Sequence, residues 1–138
     1  MLMAEILTRA LAQFDEEGQR EEGISLATKN ALNDLEVYIN ENLHENILVE
    51  DLCRRIGFSK TKLHHLFKGH FGHSIYDHIK IARIRKAKSL LVTSDLAVAE
   101  IAVFVGYQSV PHFSNVFKKN VGITPIQFRK GYRRELSF

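Results

Sequence analysis

Apolar side chains recur at three- to four-residue spacing through successive stretches of the chain, the period of a helix with one buried face. Residues 1–14 set Met3, Ile6, Leu7, Ala10, Leu11 and Phe14 on one side and Glu5 and Arg9 on the other, predicting a first helix. The charged, glycine-bearing run DEEGQREEG (15–23) reads as a linker. Helix resumes over about 25–43, where Leu32, Leu35, Tyr38 and Ile39 keep the period. Leu52, Cys53 and Ile56 mark a short helix, and Leu63, Leu66 and Phe67 mark the next. A longer helix over about 75–92 carries Ile75, Ile79, Ala82, Leu90 and Leu91, interrupted by Lys80, Arg83, Arg85, Lys86 and Lys88. Ile101, Ala102 and Val105, then Phe113, Val116 and Phe117, repeat the short pair, and a final helix runs through Phe128 and Tyr132. Few alternating Val/Thr-rich runs appear, so the expected fold class is all-α.

The pattern repeats itself. LCRRIGFSKTKLHHLFKGHFG (52–72) aligns with IAVFVGYQSVPHFSNVFKKNVG (101–122). Leu52, Cys53, Ile56 and Gly57 match Ile101, Ala102, Val105 and Gly106 at an offset of 49. After one extra residue near Gln108, Leu63, Phe67, Lys68 and Gly72 match Phe113, Phe117, Lys118 and Gly122 at an offset of 50. In each copy an apolar stretch ends at a glycine, the residue that tolerates the left-handed turn closing a helix. Phe58 or Tyr107 follows, and then Ser59 or Ser109 stands ready to cap the next helix. Helix, short glycine turn and helix with a basic end is a helix-turn-helix pattern. A helical hairpin used only for packing has the same outline.

Caps support the other boundaries. Ser74 and Asp77 make a capping-box-like start for the long helix. In TPIQF (124–128), Thr124 caps, Pro125 takes the first helical position and Gln127 the capping-box position. The expected architecture is two helix-turn-helix subdomains, at about 48–72 and 97–121, joined by the long helix at about 75–92. Residues 1–30 form an acidic helical lead-in and linker, and residues 31–134 the main domain.

Charge sharpens this division. Residues 1–45 hold three Lys and Arg against ten Asp and Glu, whereas residues 46–138 hold sixteen against six. The basic piece attracts polyanions, of which nucleic acid is the usual one. No apolar stretch approaches the ~20 residues that span a bilayer, and no membrane partner is expected. Cys53 is the single cysteine and has no partner for an internal disulfide, so a reducing cytoplasm is the expected compartment.

Other chemistry finds little purchase. His64 and His65 are adjacent, pointing about 100° apart on a helix. His70, His73 and His78 straddle a glycine and a helix start, with no cysteine pair to complete a tetrahedral set, so no metal is expected. Cys53 aligns with Ala102 and reads as an inert core thiol. No phosphate loop, nucleophile–base pair or convergent carboxylates appear, so neither catalytic residues nor a cofactor are expected. A helical protein-interaction module without DNA binding is the alternative to a nucleic-acid binder.

The segment AVAEIAVFVGYQSVPHFSNVFKKNVGITPIQFRK (97–130) resembles the signature of the AraC/XylS family of bacterial transcription regulators, and RIRKAKSLL (83–91) is similar to that family's linker helix. The resemblance covers roughly residues 32–134. It implies a cytoplasmic, sequence-specific regulator whose partners are double-stranded DNA and RNA polymerase. It also implies an upstream effector or dimerisation domain that does not fit in the residues before 31. The chain is expected to be a fragment, with a small stand-alone regulator as the other reading. Val49 and Ala97 depart from the family's Ser or Thr caps, predicting frayed starts, and His78 stands where a tyrosine is common.

In a helix-turn-helix the second helix enters the major groove with its early residues at base edges. By position in the motif, the resemblance places base contacts at Thr61, His64 and His65 and at Val110, Pro111, His112 and Asn115. Asn115 suits a two-point contact with adenine, and the histidines can donate to guanine or to phosphate. Val110 and Pro111 can pack on a thymine methyl. Lys60, Lys68, Lys118, Lys119 and Arg129 read as phosphate clamps that give affinity and register without sequence information. Arg83, Arg85 and Arg133, on the linker and C-terminal helices, are candidate extra clamps with no assigned role.

Overall fold

The computed structural model describes residues 24–136, so the expected helix at 1–14 and the linker at 15–23 lie outside the described residues. The helices are α1 (Leu26–Glu41), α2 (Val49–Ile56), α3 (Lys60–Phe71), α4 (Ile75–Thr93), α5 (Val98–Phe104), α6 (Val110–Val121) and α7 (Pro125–Leu136). Among the described residues there is no strand.

Serine hydroxyls set most of the starts. Ser59 Oγ accepts from the Lys62 amide at 3.2 Å, Ser74 Oγ from Asp77 at 3.1 Å and Ser109 Oγ from His112 at 3.2 Å. Each satisfies one of the donors that a first turn leaves without a partner. Thr124 and Gln127 form the full reciprocal box expected of them, at 3.2 and 3.0 Å. Asp77 does not close such a box with Ser74, because its carboxylate is turned to Lys80 at 3.2 Å.

The two uncapped helices nonetheless begin where the pattern places them. α2 follows Leu48 without a side-chain cap, anchored by buried Val49, with Glu50 and Asp51 against the positive end of the helix. At α5 the Glu100 carboxylate accepts from the Ala97 amide at 3.4 Å, the half of a capping box that needs no serine.

The interior is two cores that share one helix. Leu32 and Ile39 of α1, Leu52 of α2 and Leu63 and Phe67 of α3 are fully buried together with Ile75 at the start of α4. Further along, α4 turns Ala87 and Leu91 into a second core with Ile101 of α5 and Phe113 and Phe117 of α6. At ~1.5–3 kcal/mol for each large side chain removed from water, these contacts hold the helices in place. Cys53 is half-buried against the first core.

The sequence repeat is therefore longer than the helix-turn-helix alone. The second half of α4 plays for α5 and α6 the part that α1 plays for α2 and α3, and α7 takes the place of the first half of α4. His78 and Phe128 occupy equivalent places, each against the buried phenylalanine of its own unit, with ring centroids 5.2 and 5.6 Å apart.

The arginines repeat as well. Arg83 donates to the carbonyls of Leu43 (3.2 Å) and Glu45 (2.9 Å) beyond the end of α1. Fifty positions on, Arg133 donates to the Ser94 carbonyl (3.3 Å) and the Asp95 carboxylate (2.6 Å) beyond the end of α4. In both units an arginine of the closing helix ties down the exit of the opening helix.

Candidate nucleic-acid interface

Each second helix is sharply divided. In α3, Leu63, Leu66 and Phe67 are buried, leaving Lys60, Thr61, His65 and Lys68 exposed on the other faces. In α6, Phe113 and Phe117 are fully buried, while Val110, Pro111, His112, Asn115, Lys118 and Lys119 are exposed. Both arrays follow from the same apolar spacing: once the phenylalanine and its neighbour a turn earlier are fixed in the core, these positions fall on faces turned away from it.

Not every expected site residue is equally free. His64 is half-buried, its ring 5.7 Å from that of Tyr76. Tyr76 itself is 59% exposed beside α3, yet the sequence pattern does not single it out. The available signal is its place between Ile75 and Asp77, one step off the buried stripe of α4. His112 meets the Tyr107 ring edge-on at 5.3 Å, which fixes the imidazole near the start of α6. Pro111 lies in the first turn of α6, where a missing N–H costs no helical hydrogen bond.

The lysines differ in surroundings. Lys60 lies 3.6 Å from the exposed Glu50 carboxylate. A bond from Glu50's own backbone amide, and then Lys60, hold that carboxyl below its ordinary range. Such an exposed pair is weak and easily exchanged for another anion.

Arg129 departs from the phosphate-clamp reading. Its Nε donates to the Leu91 carbonyl at 3.0 Å and its Nη2 to the Ser94 carbonyl at 3.3 Å. The guanidinium is engaged in closing the C-terminal end of α4, which otherwise leaves carbonyls without partners. Arg83 is likewise engaged at Leu43 and Glu45, and burial draws its pKa down. The exposed lysines of α3 and α6 thus differ from Arg83 and Arg129, whose guanidinium groups are committed to backbone oxygens.

Among the described residues, no group of three or more His, Cys, Asp or Glu side chains is placed to hold a metal ion. His73 and His78 are instead hydrogen-bonded to each other at 2.7 Å. No helix among the described residues is long and apolar enough to cross a membrane.

Paired helix-turn-helix units built on one shared helix define a double helix-turn-helix domain. The helix-turn-helix domain family matches residues 52–131. The bifunctional transcriptional activator/DNA repair enzyme AdaA of Bacillus subtilis is 32% identical over 101 residues, covering 73% of this chain and 48% of AdaA. The xylose operon regulatory protein of Escherichia coli is 34% identical over 92 residues, covering 67% of this chain and 24% of that protein. Among solved structures, the C-terminal domain of the two-component response regulator yesN from Fusobacterium nucleatum aligns with a TM-score of 0.69 and 35% identity, over 72% of this chain and 98% of that one. The DNA-binding domain of AdpA, crystallised with a target DNA, aligns with a TM-score of 0.73 and 29% identity, over 75% and 94%.

The chain belongs to the AraC/XylS family of helix-turn-helix proteins. It spans about half the length of AdaA and about a quarter of the xylose operon regulator.

Proposed function

We propose that this chain is a sequence-specific double-stranded-DNA-binding transcription regulator that lays α3 and α6 in successive major grooves of one duplex. The observation that carries this reading is the matched pair of second helices, each buried on its phenylalanine side and exposing hydrogen-bonding and cationic groups on the other. The AdpA domain, solved with its target DNA, supports it by likeness.

Thr61, His64 and His65 would read one groove, and Val110, Pro111, His112 and Asn115 the other. Because these sets differ, the site is asymmetric, with half-sites about 34 Å or one turn apart. Lys60, Lys68, Lys118 and Lys119 clamp phosphates. Arg129 is left out of that set because of its bonds to Leu91 and Ser94. Acting as a regulator in a bacterial cytoplasm, the protein would also meet RNA polymerase, and an effector or dimerisation domain upstream would govern it.

Selection of bound sites from a random duplex pool tests this reading. The expected winner is a two-part, non-palindromic site whose binding weakens steeply with salt. Failure to enrich any sequence, with no salt-dependent DNA binding, would favour a protein-interaction module.

A further inference from the structure

Three features meet where Arg83 joins the two units. Arg83 stands on α4 between Ile79, which packs in the first core, and Ile84, which packs in the second. Its Nε and Nη2 reach into the first unit, to the carbonyls of Leu43 and Glu45 in the α1–α2 connection.

On its other side lies the α5–α6 turn of the second unit. The guanidinium carbon is 5.6 Å from the centre of the Tyr107 ring, within the range of a cation–π contact. Gly106 closes the stack. Its φ of 93° is open to glycine but strained for other residues. A β-carbon there would fall 2.0 Å from the Leu43 carbonyl oxygen and 2.9 Å from the Arg83 Cζ and Nε. Only a residue without a side chain lets the turn of the second unit rest on the loop of the first.

Both contacted segments lead directly into the reading apparatus. Four residues beyond Gly106, α6 begins at Val110, and the Leu43–Glu45 segment runs into α2, which carries α3. A shift at this junction therefore moves one reading helix relative to the other.

We infer that Arg83 is the positioning residue that fixes the separation and rotation of the two reading helices, and so sets the half-site spacing this protein accepts. The inference rests on the two-groove reading above. It does not require Arg83 to touch DNA. Its structural counterpart Arg133 supplies a comparison, since it bonds to Ser94 and Asp95 within the second unit.

The test measures binding to the selected two-part site and to versions with one base pair inserted or removed between the halves. One base pair rotates the second groove by about 35° around the axis. Wild-type protein should prefer its own spacing by about tenfold, because an altered spacing must be met by deforming the duplex. Arg83→Ala should flatten that preference to within about threefold, while binding to DNA carrying only one half-site changes by no more than about twofold. Arg133→Ala should leave the preference unchanged.

If Arg83→Ala does not fold, Arg83→Lys carries the test, since it keeps charge and stem but cannot span two carbonyls with a planar fork. A preference as steep as the wild type's in either folded variant, or a wild-type protein indifferent to spacing, overturns the inference and leaves DNA binding standing. A wild-type protein that selects no two-part site defeats the two-groove reading itself.

Discussion

The Nε2 of His73 lies 2.7 Å from the Nδ1 of His78, whose own Nε2 lies 3.3 Å from a carboxylate oxygen of Glu36. With Glu36 accepting, a neutral His78 donates from Nε2 and accepts from His73 at Nδ1. The ring is buried and packs on Phe67 and Phe71. Burial lowers its pKa from the ordinary 6.5; Glu36 opposes that shift, and His73 and Arg85 add to it.

The sign of the resulting pH dependence follows. The folded state takes up a proton at His78 less readily than the unfolded chain does. Its contribution to stability is present above about pH 6.5 and is lost as pH falls through the lower folded-state value. Melting temperatures of wild type and His78→Phe across pH 5 to 8 check this. The variant, which copies Phe128 of the second unit, should lose less stability on acidification. Equal acid sensitivity in both proteins would remove His78 from the account.

Asn115→Ala should weaken binding to the selected site by about 1–3 kcal/mol and relax base choice at one position. Asn115 is exposed on α6 while Phe113 and Phe117 hold the helix, so the substitution leaves the core alone. Competition titrations against specific and random duplexes decide the matter. Equal losses on both would reject a base-reading role.

Lys118→Ala and Arg129→Ala should separate two kinds of positive charge. The first is expected to lower affinity for every sequence and reduce the salt slope by about one. The second removes bonds to the Leu91 and Ser94 carbonyls, so it should cost about 1–3 kcal/mol of stability and leave the salt slope nearly unchanged. Denaturant melts paired with salt titrations measure both quantities for each variant. A marked change of slope with Arg129→Ala would restore it to the phosphate contacts.

Gly57 and Gly106 end equivalent segments but sit in different surroundings. Alanine at Gly57, where φ is 77° and an added β-carbon meets nothing within 4 Å, should cost only about 1–2 kcal/mol of backbone strain. At Gly106 the same change also drives a carbon into the Leu43 carbonyl, so the loss should be clearly larger. Denaturant unfolding of the two variants gives the comparison. Equal costs would mean that the two units yield at their junction without resistance.

Much of this architecture is legible in the sequence because the interior is helical and repeats. Leu63, Phe67, Phe113 and Phe117 declare their burial through spacing alone, and Ser59, Ser74 and Ser109 announce helix starts through local hydrogen bonds. The exposed arrays on α3 and α6 follow once those positions are fixed.

What spacing leaves unsaid depends on groups distant along the chain. Arg83 meets the Leu43 carbonyl forty residues away, and Arg129 meets that of Leu91, contacts with no periodic mark. Both arginines fall among the basic residues of their helices and read as surface charge until the fold brings a helix end to them. The dual allegiance of α4 is hidden for a related reason: its stripe serves one core at Ile75 and Ile79 and another at Ala87 and Leu91, so it shows no single clean face.

That shared helix has a mechanical outcome. A segment of nineteen residues that walls both interiors leaves no slack connector in which a hinge could form. Melting either half strips one end of α4 of its packing and weakens the other half with it, so heat should dismantle the pair in a single step.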